Sequence, residues 1–122
     1  MVGSPENEEF ERASVALSAM GKKIFACGGP GTGQIAKISN NMILGINMVA
    51  ACEGMAMAEK LGIDPKILCK ILSVSTSSSW VIATTNPRPG NIPDSPASRN
   101  YEGGFSVGLM RKDLALATEI AD

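Results

Sequence analysis

The sequence predicts a mainly α chain: a helical domain built around one long helix, preceded by a helix and a strand that read as the tail of an α/β domain. Residues 32 to about 61 contain no proline and are apolar nearly all round, which marks a helix buried at the centre of something larger. Shorter stretches with a period near 3.6 flank it. A single strand-like run, Lys22-Lys23-Ile24-Phe25-Ala26-Cys27, has no second run to pair with.

The elements follow in order. Ser4-Pro5-Glu6 reads as a helix start, with an N-cap hydroxyl, proline at the first helical position and acids in the first turn. Phe10, Ala13, Leu17 and Met20 give that helix one apolar face, and Gly21 stops it. The strand ends at Gly28-Gly29-Pro30. The long helix ends at Gly62, and Asp64-Pro65 caps a shorter helix whose face is Ile67, Leu68, Ile71 and Leu72. Residues 75–79 are a polar break before a helical piece at 80–84. Residues 86–104 hold four of the seven prolines and little periodicity, so they form a long ordered loop or lid. Residues 109–121 close the chain as an amphipathic helix.

Composition excludes several functions. Net charge is −1 and no Lys/Arg cluster occurs, so neither nucleic acid nor an anionic membrane is an expected partner. The aromatic residues Phe10, Phe25, Trp80, Tyr101 and Phe105 make no base-stacking surface; Trp80 and Tyr101 read as core or lid. Cys27, Cys52 and Cys69 show no CxxC spacing and there is no histidine, so no metal site is expected and the thiols read as reduced. Met1 runs straight into an acidic stretch, with no leader peptide read there. The most apolar run, residues 42–58, contains Asn47 and Glu53 and reads as too short and interrupted to span a bilayer.

The chemistry concentrates in Gly31-Thr32-Gly33-Gln34-Ile35-Ala36-Lys37-Ile38-Ser39-Asn40-Asn41. On a helix, Lys37, Asn40 and Asn41 fall within an arc of roughly 100°. Leu44, Met48 and Ala51 continue that face, so a lysine there is expected to be partly desolvated and suited to acid–base work. Asn41 is placed to hold a substrate hydroxyl or carboxylate. A solvated helix end with a structural asparagine pair fits the same spacing, and both readings stay open. Gly31-x-Gly33-x-x-Ala36 imitates a dinucleotide fingerprint. That fingerprint needs a second strand ending in an acid about 20 residues on, and here the helix simply continues through Glu53. The glycines are therefore read as a turn between two domains. For Lys112-Asp113, spacing alone favours an exposed salt-bridging pair over a place at the mouth of an active site.

These segments resemble the β-hydroxyacid dehydrogenases, whose glycine turn precedes K-x-x-x-N, here Lys37 to Asn41. The likeness continues through Asp64-Pro65-Lys66-Ile67-Leu68 and Leu109-Met110-x-Lys112-Asp113-Leu114. Asn86-Pro87-x-Pro89-Gly90 and Asn100-Tyr101-x-Gly103-Gly104-Phe105 are similar to the 3-hydroxyisobutyrate dehydrogenase branch in particular. The resemblance implies that Lys37 is the catalytic lysine, that Asn41 and Asn40 bind substrate, and that Lys112 reaches the nicotinamide cofactor. It implies NAD, or NADP, as cofactor, a small hydroxy acid as substrate, and a homodimer or homotetramer. Residues 1–29 would then be a remnant of the N-terminal Rossmann domain, which binds the dinucleotide, and residues 30–122 a helical catalytic and dimerisation domain without its last helices. The implied reaction is oxidation of 3-hydroxyisobutyrate to methylmalonate semialdehyde in valine catabolism, in the mitochondrial matrix of a eukaryote or the cytoplasm of a bacterium. Without the Rossmann domain the chain alone is expected to be inactive. An NADPH-dependent reductase of a small aldehyde acid such as tartronate semialdehyde, and a non-catalytic dimerisation module, are the alternatives. In the related 6-phosphogluconate dehydrogenases a histidine stands where this chain has Asn40, which weakens a phosphorylated-sugar substrate.

Overall fold

A computed structural model describes residues 1–121. The fold is mainly α, with α1 (Glu8–Leu17), α2 (Thr32–Lys60), α3 (Pro65–Val74), α4 (Trp80–Thr84) and α5 (Val107–Ala121), and a 3-10 turn at Pro96–Arg99. No strand occurs among the described residues. The expected strand at 22–27 is replaced by one isolated parallel bridge between Val2 and Ala26. The Val2 amide donates to the Phe25 carbonyl at 2.9 Å, and the Cys27 amide to the Val2 carbonyl at 2.8 Å. The Gly28 amide adds one more bond, to the Ser4 carbonyl at 3.1 Å, and so short a pairing does not amount to a strand.

Two compact units are present. The first comprises residues 1–42 and the described residues from 113 on. Its α1 begins later than Ser4-Pro5 suggested. Asn7 is the N-cap, and its Oδ1 accepts from the Phe10 amide at 2.9 Å, while Glu8, Glu9 and Glu11 complement the positive end of the helix. The Ser4 hydroxyl donates instead to the Pro5 carbonyl. The helix ends at Leu17, before Gly21, and Met20 lies outside it, exposed. Of the four expected face residues only Phe10 is buried.

The second unit spans residues 43–112. Its core is Ala51, Val81 and Ile82, with Leu44, Met48 and Leu72 packed against it. Gly62, at φ 91°, ends α2 in the left-handed conformation that glycine adopts without steric cost. Asp64 then caps α3 as expected, its Oδ1 accepting from the Lys66 amide at 2.7 Å. The buried face of α3 is rotated from the expected one. Cys69 is buried, Leu68 and Leu72 are half-buried, and Ile67 and Ile71 face outward. In the helical projection Leu72 lies between Leu68 and Cys69, so the inward arc runs from the leucines onto a small residue, on the side away from Ile67 and Ile71. Ser79 caps α4 through a bond from the Ile82 amide. Trp80, at the start of α4, is exposed, as is Tyr101, so neither is a core residue.

The segment 86–104 is an ordered loop. Asn86, fully buried, accepts from the Arg88 amide at 3.0 Å and from Asn91 Nδ2 at 3.1 Å. Arg88 makes a two-pronged bond to Glu59, at 2.8 and 2.6 Å. The hydrogen bond and the charge of Glu59 hold the guanidinium pKa above its ordinary value. Asn100 and Tyr101 both take left-handed backbone angles, and the Tyr101 amide donates to the Pro96 carbonyl at 2.8 Å.

The 42–58 run is part of a 29-residue helix. By length and composition α2 is long and apolar enough to cross a membrane, which the run alone did not suggest. The core helix of a helical protein meets the same criterion.

Candidate active site

The polar cluster forms where α2 begins. Thr32 opens the helix, its hydroxyl donating to the Gly29 carbonyl at 2.7 Å, and Gly31 turns the chain with φ at 89°. Gly33 is buried because the N-terminal segment crosses it. A Cβ there would stand 3.0 Å from the Gly3 nitrogen and 3.1 Å from the Met1 carbonyl oxygen. In a dinucleotide fingerprint the corresponding space admits a pyrophosphate. Here the chain's own backbone fills it, and α2 continues to Lys60 with no strand after it. Both findings agree with reading the glycines as a turn and not as a phosphate cradle.

Helical spacing brings Lys37, Asn40 and Asn41 together. Lys37 Nζ donates to Asn41 Oδ1 at 2.8 Å, and Asn40 Nδ2 donates to the same oxygen at 3.1 Å. Asn41 itself is 2% exposed. On its other side the amide nitrogen donates to Asp113 Oδ2 on α5, at 2.5 Å. The buried amide thus links an ammonium to a carboxylate, each polar end satisfied by a group of matching character. Lys37 is exposed in this chain, contrary to the expected partial desolvation. Its long stem carries the ammonium past the apolar arc and only its tip is held, by Asn41.

Asp113 joins this cluster although spacing alone favours a surface pair with Lys112: it is half-buried and bonded to a residue 72 positions away. Its one signal was its place in the Leu109 to Leu114 segment beside Lys112. Lys112 is exposed on α5 and belongs to the second unit. Among the described residues no group of three or more His, Cys, Asp or Glu side chains gathers as for a metal, and all three cysteines are free thiols.

Residues 31–122 match the family profile described as the NAD-binding region of NADP-dependent 3-hydroxyisobutyrate dehydrogenase. The chain is 49% identical, over 99% of its length, to a probable mitochondrial 3-hydroxyisobutyrate dehydrogenase of Dictyostelium discoideum, and covers 37% of that protein. It is 47% identical to the human mitochondrial 3-hydroxyisobutyrate dehydrogenase, with 99% of this chain and 36% of the relative covered. The corresponding values for the Pseudomonas aeruginosa 3-hydroxyisobutyrate dehydrogenase are 47%, 96% and 39%. A solved structure of Mycobacterium tuberculosis 3-hydroxyisobutyrate dehydrogenase with L-serine superposes with a TM-score of 0.92 at 41% identity, covering 98% of this chain and 41% of that one. The chain therefore spans little more than a third of the relatives it matches. The Lys37–Asn41 cluster, the helical fold and these likenesses agree: the chain belongs to the 3-hydroxyisobutyrate dehydrogenase family and corresponds to its helical NAD-binding region.

Proposed function

We propose that this chain is the helical part of a nicotinamide-dependent dehydrogenase that oxidises 3-hydroxyisobutyrate to methylmalonate semialdehyde in valine catabolism. The observation that carries the reading is the Lys37 ammonium held 2.8 Å from the buried Asn41 amide at the start of α2. Lys37 in its amine form takes the proton of the substrate hydroxyl, and in the reverse direction its ammonium returns one. Asn40 and Asn41 position the hydroxyl or carboxylate of the substrate with amide N–H groups. NAD, or NADP as the wording of the family profile favours, supplies the hydride acceptor when bound.

The residues present fit one edge of such a cofactor: Lys112 is an exposed cation on α5, suited to an anionic dinucleotide. Phosphate binding is assigned elsewhere, because the backbone of residues 1–3 fills the space beside Gly33. Residues 1–29 then belong to the end of the Rossmann domain and residues 30–122 to the catalytic and dimerisation domain. A homodimer or homotetramer is the proposed assembly, supported by Ile35, Ile43, Ile46, Val49 and Met57, all exposed on α2. The proposed compartment is the mitochondrial matrix in a eukaryote and the cytoplasm in a bacterium, since relatives of both kinds match.

The test is steady-state kinetics on the intact enzyme that carries this chain. Lys37→Ala is expected to lower kcat by on the order of 10² to 10⁴. Lys37→Arg is not expected to restore it, because a guanidinium does not give up its proton at working pH. A folded Lys37→Ala enzyme that keeps more than about a third of wild-type kcat would overturn the assignment.

A further inference from the structure

We infer that Asp113 is a positioning residue for Lys37, acting through the flip state of the Asn41 amide; the inference rests on the acid–base reading of Lys37. An asparagine amide presents an oxygen on one side and an NH2 on the other, and rotation by 180° exchanges them. Asn41 is buried between an ammonium and a carboxylate. A carboxylate only accepts hydrogen bonds, so Asp113 selects the orientation that turns the NH2 toward α5. The oxygen is thereby turned toward Lys37, where it accepts from Nζ and from Asn40. In the opposite orientation the NH2 would meet the Lys37 ammonium, donor against donor, and the oxygen would meet a carboxylate.

Lys37 is exposed and its Nζ is held at 2.8 Å by the Asn41 oxygen, so the place of the reacting nitrogen depends on which way that amide points. Asp113 sits on α5 and its bond reaches across to α2, so it holds the amide from outside the helix that carries the lysine. It touches neither substrate nor cofactor in this reading.

The substitution Asp113→Asn keeps size and shape but removes the selection, because an amide partner tolerates either orientation of Asn41. In the intact enzyme it is expected to lower kcat on the order of 10- to 100-fold, as a misplaced catalytic group does, with the cofactor KM unchanged. Asn41→Asp alone sets two carboxylates against each other and is expected to be worse. The double variant Asn41→Asp/Asp113→Asn restores an acceptor facing Lys37 and a donor–acceptor pair between the two positions, and is expected to lose less kcat than the product of the two single losses, since paired groups compensate non-additively. Lys37→Ala runs beside these as the reference. If Lys37→Ala abolishes turnover while Asp113→Asn stays within about twofold of wild type, the inference about Asp113 fails and the function proposed for Lys37 stands. If Lys37→Ala remains active, the reading beneath it fails. Should Asp113→Asn not fold, side-chain NMR of the wild-type chain decides: slow water exchange of the Asn41 Nδ2 protons supports the inference, and exchange as fast as at an exposed asparagine overturns it.

Discussion

Lys37 and Asn41 stand one turn apart on α2, and the ammonium of the first donates to the amide oxygen of the second at 2.8 Å. The amide is buried and has charged partners on both sides, so its removal has two consequences. Asn41→Ala is expected to cost about 2 to 3 kcal/mol of stability, because it removes a buried amide bonded to two charged groups. In the intact enzyme it is expected to weaken substrate KM and kcat together. Lys112→Ala is expected to act chiefly on the cofactor KM. Denaturant unfolding and steady-state kinetics on both variants check this; equal effects of the two on cofactor KM would contradict the assigned roles.

Cofactor binding by this chain alone is expected to be weak. The backbone of residues 1–3 fills the space beside Gly33, where a dinucleotide fingerprint would admit a pyrophosphate. A dissociation constant for NAD(H) of about 1 mM or weaker is expected, a binding free energy near −4 kcal/mol. Calorimetric titration measures it, and a micromolar constant would mean that the turn has been misread.

Apolar residues along α2 should drive association with a second copy of the chain. Ile43, Ile46 and Val49 are each more than half exposed, a density of large apolar side chains that monomers seldom present to water. Light scattering across a concentration series is expected to show a dimer or larger species. A monomer at the highest concentration would count against this interface.

Cys52 is exposed yet should react slowly with alkylating reagents. Burial of part of the thiol, and then the neighbouring Glu53 charge, raise its pKa above the ordinary thiol value. Both favour the protonated form, so less thiolate is present at neutral pH and the alkylation rate climbs only as pH rises further. The pH–rate profile by mass spectrometry checks the direction. Glu53→Gln removes one cause and is expected to shift the profile to lower pH; a shift the other way would refute it.

Much of this protein is determined locally and was legible in its sequence. Asp64-Pro65 caps α3, Gly62 ends α2, and a proline-free apolar stretch makes a helix, because each depends on bonds within a few residues. The Lys37–Asn41 pairing is of the same kind, since four residues make one turn. Elsewhere local signals competed: Ser4-Pro5 lost to Asn7 as the cap of α1, and the 22–27 run made one bridge where a strand was expected. Tertiary structure alone decided which face of α3 turned inward, and that the backbone of Met1 and Gly3 would occupy the space beside Gly33. It also decided that Asp113 meets Asn41 across 72 residues. No pattern within one helix encodes that contact, because it depends on how far and in what direction α5 returns to α2.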